Sequence, residues 1–324
     1  MSNSMTGKRT GLRGWAGGKA EGFLLAAVAA ATYGTNPALA IPLYDDGMNP
    51  MSVLLFRYGL CLPILALMAL WRRRSLRLYK SEIAPVCTLG VLMGISSLTL
   101  FQSYEYMNAG VASTLLFIYP VLVAVLMSCF FHERFRATTG LCLVLMGVGL
   151  YTLLKPGEGM SLGLTGCLLV FISALTYAIY IIFTNVSKRV SRIPTLKLLF
   201  YQFMSGGMVF VAGFVCGTPF TLPAAGWSWL NIVALAVLPS VVSLWCTTRA
   251  IHLVGATPTA MFGALEPVTA VVLSVFLLGQ PLSAHEIAGG LLIVVATTLV
   301  VVAEPVDTLL LRIRRLFPSL RHRN

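Results

Sequence analysis

The 324-residue chain is poor in charge: Asp, Glu, Lys and Arg make up 10% of it and only 11 residues are acidic, against roughly 25% charge in a soluble domain. So little charged surface excludes an ordinary water-soluble globular fold. Histidine is also scarce. His132, His252, His285 and His322 lie at the ends of apolar runs or near the C-terminus, so no convergent nucleophile or metal set is visible and no enzyme is expected. A Walker-type phosphate loop is missing, which excludes ATP-driven pumping within this chain. The seven cysteines are scattered without paired spacing, which suggests neither a metal site nor a disulfide framework. Buried cysteine ordinarily behaves as a small apolar residue. No cofactor-binding motif is present, and no cofactor is expected.

What the chain has is apolar length. Hydrophobic residues make up 57% of it and the mean hydropathy is +0.86. A membrane span needs about 20 mostly apolar residues. Ten runs qualify, at about 22–43, 51–71, 84–105, 111–131, 138–154, 163–184, 198–217, 229–248, 256–279 and 287–304. The expectation is an all-α integral membrane protein with ten transmembrane helices and the lipid bilayer as its surroundings. The net charge of +12 could suggest nucleic acid, but its placement argues against that partner. With both termini in the cytoplasm, only Lys155 of the 23 lysines and arginines falls outside and only Arg57 lies within a span, as the positive-inside rule requires. Ala38-Leu39-Ala40 imitates a signal-peptidase site, but the first run is longer than a signal h-region, and cleavage is not expected.

The first span returns later in the chain. Gly22 to Tyr33 (GFLLAAVAAATY) reappears 144 positions on as Gly166 to Tyr177 (GCLLVFISALTY), and Pro50 with Leu54-Leu55-Phe56 reappears as Pro194 with Leu198-Leu199-Phe200. One register therefore covers two apolar runs and the loop between them, which marks a tandem repeat. The resulting organisation is a basic cytoplasmic tail (1–20), a first five-helix repeat (21–155), a second (162–304) and a basic cytoplasmic tail (305–324). Five is odd, so the second copy enters the bilayer from the opposite side. Such an inverted 5+5 repeat has a pseudo-twofold axis in the membrane plane, and in secondary transporters the substrate site lies near the midplane at the repeat interface.

Spans 4 and 9 match at an offset of 147, which pairs Pro120 with Pro267 and Tyr119 with Glu266. Each proline falls near mid-span, where it removes a backbone donor and disfavours a straight helix; packing alone also accommodates proline in membrane helices. Span 6 carries Ser173, Thr176, Tyr177, Tyr180 and Thr184 on one helical face. Span 1 offers Thr32, Tyr33, Thr35 and Asn36; span 3 offers Ser96, Thr99, Gln102 and Ser103; span 8 offers Ser240, Ser243 and Thr247. Such residues either hydrogen-bond between helices, at about 0.6 kcal/mol each, or line a hydrated cavity. The larger polar groups of Tyr33, Tyr177, Tyr180, Asn36 and Gln102 are the cavity candidates.

Glu266 sits about ten residues into span 9 with no charge nearby in sequence. An ionised carboxylate there costs about 2.5–3.5 kcal/mol on insertion scales. It is expected to line a central cavity and contact substrate or carry a coupling proton, against the alternative of a protonated acid bonded to a backbone carbonyl. Arg57, about seven residues into span 2, either snorkels, caps a neighbouring helix or attracts an anionic group. Trp245 is a cavity aromatic or a packing residue. The stretch Leu309 to Phe317 lies on the inner leaflet or is a solvated basic tail.

Three local sequences carry a family resemblance. Phe56-Arg57-Tyr58 is similar to an F-R-[FY] signature at the start of helix 2, Tyr119-Pro120 through His132-Glu133-Arg134 to a P-x(12)-E-[RK] ending of helix 4, and Leu265-Glu266-Pro267 through Leu278-Gly279-Gln280 to L-E-P…L-G-E. Together they resemble the EamA-like branch of the drug/metabolite transporter superfamily across residues 20 to 304. The departure at Gln280, where glutamate is commoner, makes Glu133 an architectural helix-end residue rather than a ligand. The resemblance implies a carrier of the bacterial inner membrane, usually an exporter of amino acids or other small metabolites. The expected function is secondary export of a small polar or amphipathic metabolite by alternating access. Candidate substrate-binding residues are Glu266, Tyr33, Asn36, Gln102, Tyr119, Tyr177, Tyr180, Trp245 and Arg57, with Pro120 and Pro267 as kinks. The alternatives are broad drug efflux or a non-transporting sensor.

Overall fold

The computed structural model describes residues 6–107, 112, 115–131, 137–153, 164–266, 268–269, 272–273, 284, 287–289, 291–296 and 299. Pro267, Glu133, Gln280, Lys155, His132, His285 and the segment 300–324 with His322 lie outside the described residues.

Among the described residues the regular elements are all helical. They are α1 (Thr6–Tyr33), α2 (Asn36–Asp45), α3 (Pro50–Trp71), α4 (Lys80–Ser103), α5 (Tyr119–Phe131), α6 (Ala137–Leu153), α7 (Leu164–Val186), α8 (Thr195–Val215), α9 (Gly226–Ala236), α10 (Ser243–Val254) and α11 (Ala256–Phe262). A π-helical turn, Val237–Val242, joins α9 to α10. Among the described residues, six stretches are long and apolar enough to cross a membrane: Gly18–Asp45, Pro50–Trp71, Lys80–Ser103, Leu164–Val186, Thr195–Val215 and Gly226–Val254. Shorter apolar helices occupy Tyr119–Phe131, Thr139–Gly149 and Ile287–Ala296. Helices are the expected solution because lipid offers backbone groups no hydrogen-bond partner. Large apolar side chains such as Leu67, Leu70, Trp71, Phe130 and Leu230 point outward, as a lipid-facing surface requires.

Two spans are interrupted for reasons legible in the chain. Between α1 and α2 lies Gly34-Thr35-Asn36-Pro37. The Pro37 ring opposes the carbonyl four residues back, at Tyr33, where α1 ends, and its missing donor costs little at a helix start. In span 8, Pro239 cannot donate to Leu235, and the Ser240 hydroxyl does so instead at 2.7 Å. The chain widens there into the π turn, a feature frequent at functional sites.

α4 packs against α7 and α8, and α1 against α10. α3 lies on α8, α9 on α2 and α3, and α5 on α7 and α11. Ser96 Oγ donates to Ser173 O at 3.0 Å and Ser173 Oγ to Ser96 O at 2.7 Å, clasping α4 to α7. Ser243 Oγ donates to Ala29 O at 2.9 Å, clasping α10 to α1. Ser96 and Ser173 thus join helices, as the packing alternative has it, whereas Ser243 both joins two helices and borders a central cavity.

The connections are latched at both ends. After α2, Asp46 Oδ2 accepts from Ala224 N at 3.0 Å, Ala225 N at 3.1 Å and Ser228 Oγ at 2.6 Å, at the start of α9. Asn49 N donates to Thr221 Oγ1 and Thr221 N to Ser52 Oγ, each at 3.0 Å. At the other end, Lys197 Nζ of α8 meets Glu82 Oε2 at 2.6 Å and Arg77 O at 3.1 Å, and Tyr201 Oη donates to Leu76 O at 2.9 Å.

The Ser228 hydroxyl and the Ala225 and Ala224 amides hold the Asp46 carboxyl below its usual range despite partial desolvation. A depressed carboxylate stabilises the fold above its unfolded pKa of about 3.9, and that contribution is lost as pH falls through the lower folded value. Asp46→Asn is therefore expected to lower the melting temperature at neutral pH. The difference from wild type should shrink only below about pH 3.9, as read by thermal unfolding in detergent across pH 2 to 7.

Candidate functional site

Near the middle of the spans, four tyrosines and one carboxylic acid form a continuous cluster. Tyr33 from the end of α1 stacks on Tyr177 of α7, with ring centroids 6.2 Å apart and planes 8° off parallel. Tyr177 meets Tyr119 of α5 edge to face at 4.9 Å and stacks on Tyr180, one turn along α7, at 6.0 Å. The Tyr119 hydroxyl lies in hydrogen-bonding reach of the Glu266 carboxyl, and the Tyr177 hydroxyl in reach of Thr247. Each of these residues is buried.

The cluster borders a cavity of about 10 Å³ lined by Tyr119, Tyr177, Ser243, Thr247, Thr259 and Glu266, with Ala26, Ala29, Ala30, Ile181 and Gly263. That is room for about one water. Two glycines permit the closeness. Any side chain at Gly263 would collide with the Tyr119 hydroxyl, and any at Gly34 with the Glu266 carbonyl oxygen. The broken first span thus rests directly on the backbone beside the acid.

Both chain breaks near mid-span fall upstream of the expected prolines. α5 begins at Tyr119 after a turn at Phe117–Ile118, and α11 ends before a turn at Gly263–Ala264. A proline ring opposes the carbonyl four residues earlier, which is Leu116 for Pro120. Pro267 itself lies outside the described residues, but Gly263 stands four positions before it in sequence.

Of the candidates, Glu266, Tyr119 and Tyr177 line the cavity, and Tyr33 and Tyr180 stack on Tyr177. Gln102 is half-buried near the end of α4, and Trp245 is half-buried in the packing of α10; neither lines the cavity. Asn36 opens α2 and is buried with both side-chain amide atoms lacking a partner among the described residues. A second buried polar group lies one turn beyond Tyr177: the Tyr180 hydroxyl, both amide atoms of Gln202 and the Thr248 hydroxyl form no hydrogen bond of good geometry among the described residues.

Arg57 is 1% exposed and does not snorkel. Its Nε donates to Ser240 Oγ at 2.5 Å and its Nη2 to Pro239 O at 3.3 Å, and its guanidinium lies 5.4 Å from the Phe101 ring centroid. Cys61, one turn further along α3, donates to Ala236 O at 3.4 Å. Side chains of α3 thus reach carbonyls in and just before the π turn. Ser240→Ala removes the donor to Leu235 O and an acceptor of Arg57 at once. Leaving buried polar groups unpaired costs about 1–3 kcal/mol, so a lowered melting temperature is expected by fluorescence-monitored thermal unfolding.

The cavity residues Thr259 and Gly263 were not among the sequence candidates. Their spacing to Glu266, i, i+4 and i+7, places all three on one helical face and is a signal that could have found them. Ser243 and Thr247 were seen only as part of a polar face.

The sequence model of the EamA-like transporter family matches this chain twice, over residues 20–155 and 164–302. The threonine/homoserine exporter RhtA of Escherichia coli strain K12 is 27% identical over 230 residues, covering 69% of this chain and 73% of that protein. The uncharacterized transporter YdfC of Bacillus subtilis strain 168 is 25% identical over 252 residues, 77% of this chain and 81% of its own length. A crystal structure superposes with a TM-score of 0.72 at 18% identity, covering 87% of this chain and 98% of the other. That likeness concerns the fold.

Proposed function

Since the chain belongs to the EamA-like transporter family, we propose that it exports small amphipathic metabolites, amino acids first among them, across a bacterial inner membrane by alternating access. The observation that carries this reading is the composition of the central cluster. Tyr33 and Tyr177 are counterparts at the 144-residue offset and stack on each other; Tyr119 and Glu266 are counterparts at the 147-residue offset and lie within hydrogen-bonding reach.

An inverted 5+5 repeat accounts for such pairing, because residues on a pseudo-twofold axis meet their own counterparts. The packing supports it too. Exchanging halves turns the α4 and α7 contact into the α10 and α1 contact, and Ala29, which accepts from Ser243, is the counterpart of Ser173, which accepts from Ser96. A site shared by two halves is what alternating access needs. With room for about one water, it must open to admit substrate. Glu266 suits an ammonium group, and the tyrosine rings suit both a cation face and an apolar side chain. The charge asymmetry of the loops supports a cytoplasmic position for both termini.

The test is counterflow in proteoliposomes against a panel of amino acids and unrelated drugs at two pH gradients. Saturable exchange of amino acids such as threonine or homoserine is the expected result. Movement of unrelated drugs alone would identify broad efflux, and ligand binding without movement would identify a sensor. Dependence on the pH gradient would assign a proton as the coupling ion.

A further inference from the structure

We propose that Arg57, Asn36 and the N-terminus of α2 form the carboxylate end of a two-ended site for a zwitterionic amino acid, with Glu266 as its ammonium end. This deepens the amino-acid reading above and rests on it. Arg57 and Glu266 are a buried basic and a buried acidic side chain, yet among the described residues they make no ion pair with each other. Tyr33, the last residue of α1, belongs to the aromatic cluster that reaches Glu266, and Gly34 rests on the Glu266 carbonyl. Further along the same broken span, Tyr44 Oη of α2 donates to the carbonyl of Phe101, whose ring lies 5.4 Å from the Arg57 guanidinium. The broken first span therefore approaches both groups.

The Arg57 side is incomplete. Nε and Nη2 are committed to Ser240 and Pro239, but Nη1 has no partner among the described residues, and neither has either amide atom of Asn36. These groups are 1% and 2% exposed. Buried polar atoms are seldom left without a partner, and an unfilled guanidinium edge and an unfilled amide each match the oxygens of a carboxylate. A third element adds to this. Asn36 is the first residue of α2, whose ten residues end in an N-terminus with no side-chain cap. Half-helix N-termini in broken spans attract anionic substrate groups through their unpaired amides and dipole. Positive groups on one side of the break and a carboxylic acid on the other complement a molecule with an anion at one end and a cation at the other.

The experiment is competition against labelled L-homoserine counterflow by L-threonine and by L-threoninol, which keeps the ammonium and hydroxyl but lacks the carboxylate. In wild type the alcohol should compete at least about tenfold more weakly, the effect of losing charged hydrogen bonds. In Arg57→Gln and Asn36→Ala that preference should shrink to about threefold or less. Asn36→Ala guards against Arg57→Gln failing to fold, since the Asn36 side chain makes no hydrogen bond among the described residues. Equal competition by both compounds in wild type overturns the proposal, as does an Asn36→Ala protein that keeps the full preference. Should wild type move neither amino acid, the transport reading fails, and thermal stabilisation of the purified protein by the same two compounds decides the site. Stabilisation by threonine alone, lost in Asn36→Ala, upholds it; equal or no stabilisation overturns it.

Discussion

Replacing Glu266 by Gln is expected to cut amino-acid counterflow about ten- to a hundredfold while leaving the melting temperature unchanged or higher. The loss follows from removing a charged partner of the substrate ammonium, because hydrogen bonds to charged groups contribute about 1.5–3 kcal/mol and each 1.4 kcal/mol is tenfold. The retained stability follows from the site itself. Glu266 is 9% exposed, an ionised acid at such a place is costly, and Gln keeps the shape and the ability to accept from Tyr119. The divergence between transport and stability is what separates a functional carboxylate from an architectural one. Tyr119→Phe should lose less, and the double variant should lose less than the sum, because the two side chains act on one another. Gly263→Ala should resemble the Tyr119 variant, since a methyl there displaces the tyrosine hydroxyl. If Glu266 also carries the coupling proton, a pH gradient will drive flux in wild type and not in Glu266→Gln. Full, equally pH-dependent counterflow by Glu266→Gln would remove both roles.

Part of this candidate cluster was legible in the repeated register of the sequence. Tyr33 and Tyr177 fall at matched positions 144 residues apart and stack on each other, as the proposed inverted repeat would have them do. Glu266 was legible for a different reason: a lone acid in an apolar run has no cheap explanation in lipid. Arg57 was only half legible. Its depth was clear, but its partners Pro239 and Ser240 lie more than 180 positions away, on the π turn that follows α9. Hydropathy does not register such a π turn. The break in span 1 was missed for a related reason. The run 22–43 is continuously apolar, and its interruption is encoded in Gly34 and Pro37, whose counterparts Ala178 and Ile181 leave α7 unbroken. Gln102 and Trp245 were chosen for residue type alone, and type does not determine which face of a helix a side chain occupies.

Joining Asp46 to Ser228 through an engineered disulfide is expected to abolish transport until a reductant is added. In the structure the site is closed and latches are made at both ends. One latch, outer on the proposed topology, ties the connection between spans 1 and 2 to the one between spans 7 and 8. The other, inner on that topology, ties the start of span 7 to the connection between spans 2 and 3. Under the exchange of halves that the proposed inverted repeat entails, these pairs of connections replace each other. The proposed export by alternating access therefore requires that each latch break in turn, the outer one to release substrate and the inner one to admit it. The Asp46 carboxylate and Ser228 hydroxyl are 2.6 Å apart, so the two side chains already meet, and a disulfide forms there by drawing their β-carbons to the about 3.5–4.5 Å that the bond spans. The Asp46→Cys, Ser228→Cys protein should exchange homoserine when reduced and fall to background when oxidised, while each single variant ignores the oxidant. Homoserine binding measured in detergent should persist in the oxidised protein, because the lock bars the outer path and leaves the inner one free. An oxidised double variant that transports at its reduced rate would show that the outer connections do not separate during the cycle, and the rocking of two halves about one site would have to be abandoned.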